Sequence, residues 1–199
     1  MELARTAIAG CAVATVVVGA ATTGCGSDNK SSSPSSSASA TGSSATPSSA
    51  QPSDYSNLLI KPSDIGGDVA APQPPVLNPN GQAGVEQLFA SPDNSRRIGD
   101  IILVAADAAA AKAGLDNTKN NYVSKVTGTW QPADVGSNGA IISGTAPDNS
   151  EARTVLLFTE GKALVSLEFD SAPNDPIDPG VATDVGRKQD AAIKNGLPS

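Results

Sequence analysis

Between Ser31 and Ser53 the chain holds twelve serines and three prolines, and the rest is Ala, Thr, Gly and Gln. No side chain in this stretch buries enough apolar area to offset the entropy of ordering it, so the sequence predicts a disordered tether. Folding is thereby confined to residues 54–199, the length of one domain. As a flexible serine-rich coil, residues 26–53 have a root-mean-square span of roughly 30 Å. Pro34, Pro47 and Pro52 stiffen it slightly. Ser/Thr tracts with proline also occur as O-glycosylated stalks, and composition leaves a bare and a glycosylated linker equally open.

Ahead of the tether, Met1 to Arg5 form a short charged start. Thr6 to Ala21 then form a run of about 16 mostly apolar residues. A membrane-spanning helix needs roughly 20, and this run has the length of the apolar part of a signal peptide. Small side chains lead into Thr22-Thr23-Gly24-Cys25. The arrangement resembles a bacterial lipoprotein signal. The resemblance implies a signal peptide over 1–24, acylation of Cys25 (palmitate and related chains) and a lipidated tether over 25–53. The usual motif has Leu three residues before the cysteine, where this chain has Thr22. Ile8-Ala9-Gly10-Cys11 matches that motif better. It has too little apolar sequence before it, and would leave Ala12 to Ala21 as an apolar mature N-terminus. An ordinary secretory signal or an uncleaved anchor is the other reading. Two or more acyl chains, at about 0.8 kcal/mol per buried CH₂, give stable membrane attachment.

With Cys11 and Cys25 both in the leader, residues 54–199 contain no cysteine, and the whole chain has no histidine. Disulfides, thiolate nucleophiles and Cys- or His-based zinc sites are therefore excluded from the domain, as is a Ser-His-Asp triad. Glu2, Arg5, Asp28 and Lys30 cancel, so the net charge of −7 falls on the domain. An acidic domain is a poor ligand for nucleic acid or anionic lipid, which need a basic face.

Along the domain, Asp54 to Ile60 reads as a short helical turn capped by Asp54. Lys61 to Gly67 reads as a turn or second short helix stopped by glycine, and residues 68–84 as a Pro/Asn/Gly-rich loop. Val85–Ala90 and Ile98–Ala105 read as strands. The apolar run Ile101-Ile102-Leu103-Val104 suits a strand covered on both faces. Asp107 caps an Ala-rich helix running to about Tyr122. Residues 126–135 read as an irregular or edge strand. Ala140–Thr145, Arg153–Thr159 and Ala163–Asp170 are three further strands, the last two joined by a Glu160-Gly161 hairpin. In the last strand Val165, Leu167 and Phe169 form the core face, and Leu164, Ser166 and Glu168 are mostly solvent-facing. A final helix starts at Asp178-Pro179 and ends near Gly196, with a thin apolar stripe of Val181, Val185, Ala192 and Ile193. The tetrapeptide Pro-Asp-Asn-Ser occurs twice, at 92–95 and 147–150, each time between strands. Its composition suits a turn and supports two hairpins. A duplicated loop presenting one binding edge is the other reading.

This order predicts an α+β fold: one curved, mostly antiparallel sheet of five to six strands, with two helices packed on one face. In its element order and its lipobox, serine tether and domain layout, the chain resembles mycobacterial cell-envelope lipoproteins of the Lpp/LpqN type. Those have a Mog1/PsbP-like sheet-and-helix domain. Leu59-Ile60-Lys61-Pro62-Ser63-Asp64-Ile65 is similar to the opening segment of extracellular sensor domains of mycobacterial Ser/Thr kinases. Those sensors usually carry disulfides, which this domain cannot form.

No catalytic residue is expected, no metal ligand and no cofactor. Ser63 has no lysine three residues on, and Ser124-Lys125 is merely adjacent. Asp170, Asp175 and Asp178 with Asn174 do not have calcium-loop spacing and read as a solvated connector. Asn80 to Gly84 lacks the Gly-Lys-Ser/Thr ending of a phosphate loop. The few aromatic residues read as core. Trp130 is the exception: in a polar Gly- and Pro-containing stretch, it is the candidate partner contact. The expected protein is a lipid-anchored envelope lipoprotein on the extracytoplasmic face of the cell membrane. Its expected domain is non-catalytic and binds another envelope protein or a ligand, and nucleic acid is not a partner. The alternative is a lipid or glycolipid carrier with a hydrophobic cavity.

Overall fold

The computed structural model describes residues 54–197. Cys25 and the expected signal segment and tether lie outside these residues. Seven strands form one sheet: β1 (Val76–Leu77), β2 (Gly84–Ala90), β3 (Arg96–Val104), β4 (Gln131–Pro132), β5 (Ser137–Thr145), β6 (Ala152–Glu160) and β7 (Ala163–Ser171). Their order across the sheet is β1-β2-β3-β7-β6-β5-β4, and every neighbouring pair is antiparallel. Five are long. β1 and β4 add two residues each at the edges, which brings the expected five to six strands to seven. Of the expected edge strand over 126–135, only Gln131–Pro132 pairs.

Three helices accompany the sheet: α1 (Pro62–Ile65), α2 (Ala108–Tyr122) and α3 (Pro179–Gly196). The two long helices start at the caps the sequence offers. The Asp107 carboxylate accepts from Ala110 N–H at 2.8 Å, and Asp178 accepts from Gly180 N–H at 2.7 Å ahead of Pro179. Each cap satisfies a donor that the first helical turn leaves unpaired.

The two long helices lie on opposite faces of the sheet, not on one face as expected. Leu156 and Phe158 of β6 belong to a core shared with Ala182, Val185 and Ile193 of α3. Their neighbours Val155 and Leu157 point the other way, into a cluster with Leu115 and Tyr122 of α2. Alternation along β6 thus feeds two cores. The same fact corrects the reading of β7. Leu164 and Ser166, expected in solvent, are buried. The side chain of Leu164 packs in the α2 cluster.

The stripe of α3 is Ala182, Val185, Gly186, Gln189, Asp190 and Ile193, a helical spacing, while Val181 is exposed. Gly186 sets the depth of this contact: a Cβ there would stand 2.3 Å from Leu156 Cδ2. Gln189 is fully buried. Its amide donates to Leu58 O at 2.6 Å and accepts from Ile60 N–H at 3.1 Å, clamping the start of the domain onto α3. Asn57 Nδ2 reaches Gly196 O at 3.1 Å, and Lys188 Nζ bonds Asp64 O. The β6–β7 hairpin loop is Gly161-Lys162, one residue later than expected. Glu160 pairs with Ala163, and Gly161 supplies φ of +53°.

Candidate functional site

On the face that α2 occupies, the helix covers only part of the sheet. It packs on β6 and β7, meets β3 at half-buried Leu103, and ends at Tyr122, leaving β2 and the Arg96–Ile101 part of β3 uncovered on that side. Strand register sets out three cross-strand rows here: Glu86, Ile101 and Ser166; Leu88, Gly99 and Glu168; Ala90, Arg97 and Asp170. Leu88 is 41% exposed in a strand whose other residues are buried or half-buried. A Cβ on Gly99 would meet nothing within 4 Å among the described residues. The result is a notch of about 230 Å³ with a floor of Leu88, Gly99 and Ile101, a wall of Tyr122 and Ser166, and Glu86, Arg97, Glu168 and Asp170 around it. Val76, opposite Glu86 on β1, extends its apolar side and is exposed.

A fixed polar network borders the notch. Arg97 reaches Glu151 at 2.6 Å and Asp170 at 3.3 Å. Arg153 contacts Asp170 at 2.8 Å and Glu168 at 3.2 Å, and also pairs with Glu151. Tyr122 donates its hydroxyl to Glu168 at 2.6 Å. Burial, with the Glu168 charge beside it, pushes the Tyr122 phenol above its ordinary range, so it stays a donor. Every member of this network is committed to a charged or hydrogen-bonded neighbour. The arrangement holds shape and charge in place and presents no free base beside a nucleophile. Glu86 differs. It is half-buried, and among the described residues its carboxylate has no ion pair and no hydrogen bond.

The opposite face carries an ionisable residue of another kind. Asp100 on β3 is completely buried, and neither carboxylate oxygen has a partner among the described residues. Desolvation alone pushes its carboxyl up to about 8. It pairs in register with Gln87 and Leu167, inside the face covered by the α3 core, and does not reach the notch.

The residues singled out from sequence fall in several places. Cys25 lies outside the described residues. Trp130 is half-buried and packs edge-on against Tyr122, with ring centroids 6.4 Å apart at 79°. Lys119 Nζ lies 5.6 Å from its ring centre, and the indole N–H is buried without an acceptor among the described residues. It borders a different cleft, of about 370 Å³, between α2 and β4–β5. The acidic trio is not brought together. Asp170 joins Arg97 and Arg153, Asp175 pairs with Arg96 at 2.7 Å, and Asp178 caps α3.

The two Pro-Asp-Asn-Ser segments are hairpin turns of one geometry. Asn94 and Asn149 have φ of 57° and 56°, and Asp93 and Asp148 each accept from the N–H and hydroxyl of the serine two residues on. Bonds from Ser91 and Ser95 hold Asp93 down at about 2. Because Arg96 and Ala152 both pair with Ser171, the turns stand on either side of the end of β7, around a cleft of about 300 Å³. Sequence reasoning missed Glu86, Leu88, Gly99 and Glu168 as a group. The one available signal was Gly99-Asp100 interrupting an apolar strand.

No model of a known protein family matches this sequence, and no curated protein matches it. Among solved structures, the crystal structure of the extracellular domain of PknH from Mycobacterium tuberculosis is similar in fold. The TM-score is 0.50 at 13% sequence identity, over 72% of this chain and 98% of that one. At that identity the likeness concerns the fold. Its match to the similarity noted for residues 59–65 is one of architecture.

Proposed function

We propose that this chain is an extracytoplasmic, lipid-anchored binding protein of the cell envelope, and that its domain receives another envelope protein in the Gly99 notch. The observation that carries the reading is the uncovered half of the α2 face. Leu88 and Val76 are exposed there, beside a fully paired ion network. Large apolar side chains left open next to fixed polar groups are the anatomy of a protein-binding patch. The leader ending in Cys25 and the serine tether support placement outside the membrane. So does the fold shared with the extracellular domain of PknH. Trp130, on a separate cleft, is proposed as a secondary contact. The non-catalytic reading draws on the paired state of the network. A lipid carrier needs an enclosed apolar cavity, whereas the clefts described around this sheet are open and have mixed walls.

A photo-crosslinking residue placed at Leu88 in the full chain, in its own cell, tests this. Crosslinking to a defined envelope protein is expected at 88 and not at exposed Lys112. Equal capture at both positions, or none at 88, overturns the reading. Separately, Cys25→Ala is expected to abolish acyl labelling and release the protein from the membrane fraction. Persistent label on that variant refutes the anchor.

A further inference from the structure

The Gly99 notch combines three features that together specify what enters it. First, its size is about 230 Å³, below the roughly 300–1,000 Å³ of pockets that enclose a whole small ligand, and suited to one large side chain. Second, its floor is a short apolar track from Leu88 across the bare backbone of Gly99 to Ile101. Third, its charges are unequally committed. Arg97 and Arg153 are already matched by Glu151, Glu168 and Asp170, three acids against two bases, and Lys125 lies over the Tyr122 ring at 5.3 Å. Glu86, cross-strand from Ile101 and two residues from Leu88, has no partner among the described residues. An anionic side chain in the notch would meet this carboxylate unscreened. A purely apolar one would desolvate it without return, at a cost that buried unpaired charges do not recover.

We propose that the notch binds an arginine or lysine side chain of a protein partner, its carbon stem along Leu88 and Ile101 and its charged end at Glu86. Long cationic side chains bury their stems on apolar surface while keeping the head at a polar group, which is the division this notch presents. The chain's net charge of −7 favours the encounter of such a partner over long range. This inference rests on the binding reading above and adds the chemistry of the contact.

The test monitors the Leu88, Ile101 and other methyl signals of the full-length chain by nuclear magnetic resonance. N-acetyl-Leu-Arg-amide is the probe, with N-acetyl-Leu-Glu-amide and N-acetyl-Leu-norleucine-amide as controls. The cationic dipeptide is expected to shift the Leu88 and Ile101 signals saturably, and the acidic one not at all. Glu86→Gln, a near-isosteric change at a half-buried position, is expected to weaken that binding roughly tenfold, which is about 1.4 kcal/mol. Gly99→Leu, which fills the notch, is expected to abolish it, and Gly99→Ala to weaken it with melting temperature preserved. Equal shifts from all three dipeptides overturn the assignment. So does cationic binding indifferent to Glu86→Gln and Gly99→Ala, or no shift from any probe. A partner captured at Leu88 with no cation preference would sink this inference alone. Cation binding without a captured partner would sink the envelope-protein reading instead.

Discussion

One face of the sheet is closed, while the other is closed over half its width. On the α3 side, side chains from β2, β3, β5, β6 and β7 meet α3 and the first residues of the domain in one continuous core. On the α2 side the core is smaller, built from Leu115, Tyr122, Val126, Ile142, Val155, Leu157 and Leu164. Beyond Tyr122 it gives way to ion pairs and then to the open notch. The strands are the same, so the difference arises from what each helix carries. α3 brings a stripe over its whole length, whereas α2 buries only Ala111, Leu115 and Tyr122. A helix with so few anchors covers two strands and stops. Stability resides mainly on one face, and exposed, shape-defined surface on the other.

Four substitutions would break or sharpen that contrast. The largest effect is expected from Phe158→Ala. The ring is wholly buried in the α3-side core, and truncation should cost about 3–5 kcal/mol in denaturant unfolding. A loss below about 1 kcal/mol would show that this core is not the main source of stability.

Next is Asp100, whose effect depends on pH. Its folded-state pKa, at about 8, lies above the unfolded value near 4, so the native state holds a proton that the unfolded chain releases between them. Its contribution is full below about pH 4 and falls as pH rises toward 8, by at most about 1.4 kcal/mol per pH unit. Asp100→Asn should remove that slope and make the protein more stable than wild type at pH 8. Parallel pH profiles for the two proteins would refute the assignment.

The smallest effects distinguish the two faces through their glycines. Gly186→Ala should destabilise by about 1–3 kcal/mol, because the new methyl runs into Leu156 in a filled core. Gly99→Ala should change stability by less than about 0.5 kcal/mol, because its methyl enters open space. Thermal melts of the pair settle the comparison. Equal losses would mean that the notch is not open.

Much of the chain's local structure was legible because each signal was local. Asp107 and Asp178 announced two helix starts, Pro-Asp-Asn-Ser two hairpins, and the runs near Ile101 and Val165 two strands. The placement of the helices was not legible. Leu164, Ser166 and Glu168 read alike whether water or a sparsely apolar helix lies over them, and the Ala-rich start of α2 conceals how few contacts it makes. The notch was invisible for a similar reason. Glu86, Leu88, Gly99 and Glu168 are brought together only by strand register, which no spacing along the chain encodes. Repetition of the turn tetrapeptide gave the hairpins correctly. That both turns flank the end of β7 is a consequence of β3 and β6 being its two neighbours.

The Gln189 clamp determines where a mechanical load enters the fold. A pull on the first residues of the domain meets Asn57, bonded to Gly196 O, and then Leu58 and Ile60, whose backbone groups are held by the two ends of one buried amide. Both hydrogen bonds of that amide lead into α3, the last helix. The first residues of the domain are thus held by its final helix. Loss of this one amide would free the backbone groups of Leu58 and Ile60 from α3, while the β2–β3 notch lies on the opposite face of the sheet.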